Sequence, residues 1–189
     1  MRRFVPSLVV LIFFTGGCVT VKPKSKVDLR VEPIAGPMRK HSYWSEGVGS
    51  GEPSIVINLT EQRARFFKGS VEVGQAFISS GKKGHATPTG SFRVIEKDLN
   101  HQSNLYGEFV DESGVLERNV DTSKQRVPEG ASFQGAPMRY FLRFDGATGM
   151  HAGRLPGYRA SHGCVRMELK MAKHFFENAP VGTPVTVTD

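Results

Sequence analysis

From Ser54 onward the chain alternates apolar and polar residues with period two, the pattern of a strand with one buried face. Ile55, Ile57 and Leu59 fall on one side, Val56 and Asn58 on the other. The alternation resumes over 64–67 after a polar turn, and again over 71–79 after the turn signal Lys68-Gly69-Ser70. Hairpins in succession predict an antiparallel meander. Further strands are expected over 92–96, over 138–144 with Met138, Tyr140, Leu142 and Phe144 on one face, over 148–151 after the turn Asp145-Gly146, and over 181–187. Residues 168–178 carry the one helical period, with Leu169, Ala172, Phe175 and Phe176 as its buried stripe and Ala179-Pro180 as its stop. About forty polar residues over 98–137 form a long insertion. An excursion of that length in a compact domain reads either as a flap over a site or as a surface decoration with short strands. The expected architecture is mainly β with one helix.

Upstream the pattern differs. Arg2 and Arg3 precede an apolar run over 4–14, broken only by Ser7 and Pro6, and Thr15, Gly16 and Gly17 lead into Cys18. Residues 1–18 read as a secretory signal, too short for a membrane span. Their end resembles a lipoprotein box, with Thr15 where Leu is usual. The resemblance implies lipidation of Cys18, which then becomes the mature N-terminus. With Val19 next and no Asp there, such an anchor goes to the outer membrane in a Gram-negative cell, facing the periplasm. Residues 19–53, with four prolines and the Gly-rich 47–51, read as a flexible linker; Tyr43 and Trp44 within it are expected to dock on the domain. The folded domain is then 54–189.

An exported chain with net charge +7 meets anionic wall polymers and lipid headgroups rather than nucleic acid, for which no motif is present and no Lys/Arg run exceeds two residues. The two cysteines, Cys18 and Cys164, each sit in a context that explains them singly, so no disulfide is assigned.

A free thiol in an oxidising compartment calls for a reason, and nucleophilic catalysis supplies it. Cys164 lies in Ser161-His162-Gly163-Cys164-Val165-Arg166. An imidazole that takes the thiol proton makes the thiolate accessible. His162 is near in sequence, and His151 can arrive through the fold. Gly163 permits a tight backbone at the nucleophile, so the N–H groups of Gly163 and Cys164 are candidates for an oxyanion hole. Arg166 is a fixed cation suited to a carboxylate. Zinc at His85, His151, His162 and Cys164 is disfavoured, because His162-Gly163-Cys164 is tight for two ligands of one ion and no second close pair exists. Neither metal nor cofactor is expected.

The Ser161–Arg166 segment resembles the motif of the L,D-transpeptidase family of peptidoglycan cross-linking enzymes. His151 matches that family's second element, and further similarity lies in Ser80-Gly81-Lys82, in Thr87-Pro88-Thr89-Gly90-Ser91-Phe92, in 58–62 and in 182–185. The resemblance implies a β-sandwich-like catalytic fold, with Cys164 as nucleophile and His151 as general base. It also implies that the Ala152 carbonyl orients the imidazole, while His162 and Ser161 shape the pocket. The implied reaction joins Cys164 as a thioester to a wall stem peptide and passes the acyl group to an amine of a second stem or an envelope protein. It further implies that a carbapenem acylates Cys164. Water as acceptor would make the enzyme a carboxypeptidase or amidase, and a wall-binding lipoprotein without turnover is the alternative of another class. Two departures mark a subgroup: nine residues separate His151 from Ser161, fewer than in many members, and Arg166 stands where many carry Asn.

Overall fold

The computed structural model describes residues 41–189; the signal sequence, Cys18 and the linker up to residue 40 lie outside the described residues. The first elements are β1 (Tyr43–Trp44), β2 (Pro53–Asn58), β3 (Arg63–Lys68) and β4 (Val71–Ser79). β2, β3 and β4 form the expected antiparallel meander, with Ile55, Ile57, Ala64, Phe66, Val73 and Ala76 turned into the core. Gln62, at φ 51, closes the first hairpin, and its amide bonds both the Leu59 carbonyl and the Ser80 hydroxyl.

The next strands, β5 (Gly90–Arg93) and β6 (Glu96–Asp98), correct the single strand expected over 92–96. Val94 and Ile95 interrupt it, because the Val94 N–H bonds Thr183 while the Ile95 N–H bonds Arg143. The two halves thus belong to opposite edges of one ten-stranded sheet. After the insertion come β10 (Phe141–Asp145), β11 (Thr148–Ala152), β12 (Val165–Met167), the helix α1 (Leu169–Asn178) and β13 (Pro184–Thr188). The sheet order is β5-β13-β2-β3-β4-β12-β11-β10-β6, with β1 added to β4. The meander accounts only for its centre. β13 lies parallel to β2 and β12 parallel to β11, pairings that no hairpin can make and that local sequence does not announce.

β10 begins at Phe141 rather than Met138, since Tyr140 takes a left-handed φ of 58 and breaks the alternation. Phe141 and Leu142 are both fully buried, so β10 is covered on both faces near its start. The helix buries Met171, Ala172 and Phe175, while Leu169 is exposed, contrary to the expected stripe. Leu169 is the first helical residue, and Met171 takes the inward place four positions before Phe175.

The insertion folds as a separate antiparallel sheet in the order β8-β7-β9, from β7 (Gln102–Asp111), β8 (Gly114–Asp121) and β9 (Ser132–Pro137). It encloses little apolar material, chiefly Phe109 and Val120, both buried. Its strands approach closely: a Cβ at Gly107 would lie 2.1 Å from the Gln134 carbonyl oxygen, and one at Gly135 2.1 Å from that of Ser103.

Tyr43 and Trp44 dock as expected. They extend the edge of β4 that the short β12 leaves open, pairing with Gln75 and Gly74. The Trp44 ring meets Phe66 edge-on at 5.2 Å and stacks on His174 at 4.9 Å. Gly74 makes room for it, since a Cβ there would fall 2.3 Å from the indole. Trp44→Ala should cost about 2–4 kcal/mol, somewhat below the range of about 3–5 kcal/mol for a fully buried aromatic, because Trp44 is only partly buried. The urea unfolding midpoint of the whole chain measures this, and a loss below about 1 kcal/mol would mean that the segment only rests on the domain.

Candidate active site

Three residues of β12 carry the site because they run parallel to β11, with Met150 opposite Val165, His151 opposite Arg166 and Ala152 opposite Met167. Continuing this register back by one pair sets Cys164 beside Gly149. The thiol then lies two residues before His151 on the same face of the sheet. His151 is buried at 6% exposure, and its Nδ1–H donates to the Ala152 carbonyl at 2.8 Å. A carbonyl only accepts, so this bond fixes the tautomer and leaves Nε2 as the basic nitrogen. Burial brings the imidazole down to about 4, assisted by the positive charges of Arg166 and His101 and opposed by the bond to Ala152. Burial also pushes the Cys164 thiol up, against the Gly149 N–H and the charges of Arg166 and Arg143. Both shifts run in the same sense, favouring the uncharged thiol and the uncharged imidazole.

The loop before β12 is held from beneath. The N–H groups of Ala160 and Ser161 both donate to the Ser80 carbonyl at 3.0 Å, and the Lys82 N–H donates to that of Ser161. The buried Thr87 hydroxyl donates to the Gly163 carbonyl at 2.7 Å and accepts the Gly81 N–H at 2.9 Å. A Cβ at Gly81 would lie 1.9 Å from the His85 carbonyl oxygen, so the Ser80-Gly81-Lys82 segment admits no side chain there. These contacts give a physical reason for residues that the sequence marked only by resemblance.

Ser161 closes the loop on itself. Its buried hydroxyl donates to the Cys164 carbonyl and accepts the Gly163 N–H at 3.2 Å. Of the two N–H groups named as oxyanion donors, that of Gly163 is thus turned into the loop. Gly163 has φ +120, and a Cβ there would meet nothing closer than 3.8 Å. The position therefore demands glycine through its backbone angle rather than through crowding.

His162 points elsewhere. It is exposed, its ring stacks on Tyr106 of β7 at 4.1 Å, and its Nε2 accepts from the Lys82 ammonium at 2.9 Å. Partial burial and the charges of Lys82, His85 and Arg166 hold its basicity below the usual imidazole range. His162 is near Cys164 in sequence, but the backbone turns between them at Gly163, whose φ is 120. The insertion reaches the site through this stack. Between its sheet and the Cys164 loop lies a cavity of about 280 Å³, lined among others by Tyr106, Glu108, Asn119, Gln134, His162 and Arg166. Arg166 is half-buried, and Gly153 leaves space for its stem, since a Cβ there would come within 3.1 Å of it.

The YkuD family profile, described as the L,D-transpeptidase catalytic domain, matches residues 52–187. The chain belongs to this L,D-transpeptidase family. It is 29% identical over 141 residues to the Bacillus subtilis protein named "Putative L,D-transpeptidase YqjB", covering 74% of this chain and 73% of that one. It is 26% identical to the Escherichia coli protein named "Probable L,D-transpeptidase ErfK/SrfK", over 71% of this chain but 44% of the relative. In structure it resembles an L,D-transpeptidase from Mycobacterium smegmatis, with TM-score 0.55, 18% identity, and coverage of 73% of this chain and 59% of that one. The mainly β fold is thus that of the L,D-transpeptidases, while this chain spans under half to about three-quarters of the length of these proteins.

Within this family fold, Cys164, His151, Ala152, Ser161, Gly163 and Arg166 gather at one place, with His162 at its rim. Sequence reasoning missed Arg143 on β10. Its guanidinium bonds Glu96 and the Gly146 carbonyl, and it is one of the two cations whose charge reaches Cys164. The available signal was a charged residue inside the apolar run Phe141-Leu142-Arg143-Phe144.

Proposed function

We propose that the domain is an L,D-transpeptidase in which Cys164 attacks the carbonyl of an L-centred residue of a peptidoglycan stem peptide. As sulfur bonds to that carbon, His151 Nε2 takes the thiol proton. It returns the proton to the departing D-amino acid, leaving a thioester. An amine then attacks the thioester and releases Cys164. The observation that carries this reading is the buried His151, held by Ala152 with its basic nitrogen free, on the strand beside Cys164. The Cys164 N–H is the remaining backbone candidate for the oxyanion, and Arg166 the candidate grip for a substrate carboxylate.

Amine rather than water as acceptor is supported by the insertion, whose strands wall a cavity beside His162 and Arg166. Family membership supports a substrate in the cell wall and, with it, action in the envelope. The N-terminal reading completes the proposal: a signal over 1–18, a lipid anchor at Cys18, a linker over 19–53 that tethers the domain and whose Tyr43–Trp44 stretch is docked on the sheet, and the catalytic domain over 54–189. Incubating the protein with a tetrapeptide stem should yield a cross-linked dimer, or an amine adduct when an amine is supplied, with loss of the terminal D-residue read by mass. A tripeptide as the sole product would make the enzyme a carboxypeptidase. No turnover at all, with or without added amine, would favour the wall-binding reading.

A further inference from the structure

Beyond the Cys–His pair, the hairpin between β10 and β11 bears on the thiol. Its tip is bulged between Arg143 and Asp145, with Gly146 in a left-handed turn at φ 47. The next residue, Ala147, presents its carbonyl oxygen 3.8 Å from the Cys164 sulfur. Arg143 reaches over this tip. Its Nη1 donates to the Gly146 carbonyl at 3.0 Å, its Nε donates to Glu96 Oε2 of β6 at 2.7 Å, and its guanidinium lies 5.1 Å from the centre of the Phe141 ring. The cation is therefore fixed on three sides, one residue away from the carbonyl that faces the sulfur. A guanidinium so fixed acts on charge at the sulfur without the reorganisation that a mobile side chain would need.

We propose that the Arg143–Glu96 pair is a positioning device that sets the ionisation of Cys164, the cation favouring thiolate and the carboxylate holding that effect in check. This rests on Cys164 being the attacking group. The other ionisable groups around the thiol are His151 on β11 and Arg166 on β12, with Asp98 and His101 beyond Glu96 at the β6–β7 corner. Arg166 lies in β12, two residues after the cysteine, and contributes a second positive charge. It does not touch Glu96 or the hairpin tip, so altering the Arg143–Glu96 pair leaves it in place.

The two members of the pair make opposite predictions, which separates charge from scaffolding. In the full chain, the rate of Cys164 alkylation by iodoacetamide is followed from pH 6 to 10. Arg143→Gln should move the curve up by about one pH unit, slowing alkylation at pH 7 about tenfold. Glu96→Gln keeps an oxygen that accepts from Arg143 while removing the opposing charge, and should speed alkylation at pH 7 by about threefold. Arg143→Lys, which keeps the charge if the Gln variant fails to fold, should stay within about threefold of the parent. Shifts of the same sign in Arg143→Gln and Glu96→Gln would reduce the pair to a brace for the turn and overturn the proposal. So would an unmoved curve, or a Lys variant as slow as the Gln variant. Because alkylation needs no substrate, a parent that alkylates normally but never turns over a stem peptide would defeat the transpeptidase reading and leave this result standing.

Discussion

A carbapenem should form a covalent adduct with the parent, and Cys164→Ala should abolish it together with all transfer from a stem peptide. Removing the nucleophile of a two-step acyl transfer leaves only whatever binding and oxyanion stabilisation remain, so the loss should be at least about 10⁴-fold. The fold should be unaffected. The Cys164 side chain is only partly buried and its polar contacts are weak, to the Ala147 carbonyl at 3.8 Å and to the Gly149 N–H, so its loss opens no core cavity. Intact-mass measurement after incubation gives the result directly. The parent should gain one inhibitor mass and the variant none. An adduct of equal yield in Cys164→Ala would place the reactive group elsewhere and sink the assignment.

The site was legible in the sequence to the extent that its chemistry is local. Ser161, Gly163 and Cys164 are adjacent, and their mutual bonds belong to one tight turn. His151 was reachable by resemblance, but its role depends on a parallel strand pair, and a parallel neighbour leaves no mark at either strand. Arg143 was invisible for the same reason: in sequence it is one charged residue in an apolar strand, and only the hairpin tip turns it toward the thiol. The fold was readable where pairing is sequential, as in β2 to β4. It was not readable at Val94–Ile95, where one apparent strand feeds both edges of the sheet through hydrogen bonds to residues about fifty and ninety positions away. The strands of the insertion were not legible one by one because its hairpin β7–β8 and the added β9 bury little beyond Phe109 and Val120, and apolar periodicity is the signal by which strands are recognised. What the sequence did supply there was aromatic residues too large to leave in water, and one of them, Tyr106, touches the site.

The state of His151 has two measurable consequences. His151→Asn keeps a side-chain N–H able to reach the Ala152 carbonyl but removes the basic nitrogen. Acylation should therefore slow about 10²–10⁴-fold with the loop intact, the usual range for losing a positioned general base. In the parent, an imidazole titrating near 4 is still about nine-tenths neutral at pH 5, whereas one at 6.5 would be about 3% neutral. The acylation rate should accordingly hold nearly level from pH 8 down to pH 5. A fall of about 30-fold over that interval would mean an ordinary surface-like imidazole, and a tenfold rise per pH unit would mean attack by free thiolate without a base. Stability carries the same signature with a definite sign. Between about 4 and 6.5 the unfolded chain binds a proton at this histidine and the folded protein does not, so stability falls as the pH drops through that window. The shift sets a ceiling of about 3 kcal/mol on the effect. Since Asn does not titrate, His151→Asn should flatten this part of the parent's stability–pH curve while leaving the carboxylate-driven loss at lower pH. If parent and variant lose stability in parallel from pH 6.5 to pH 4.5, the imidazole is not buried in its neutral form, and the neutral-pair mechanism built on it fails.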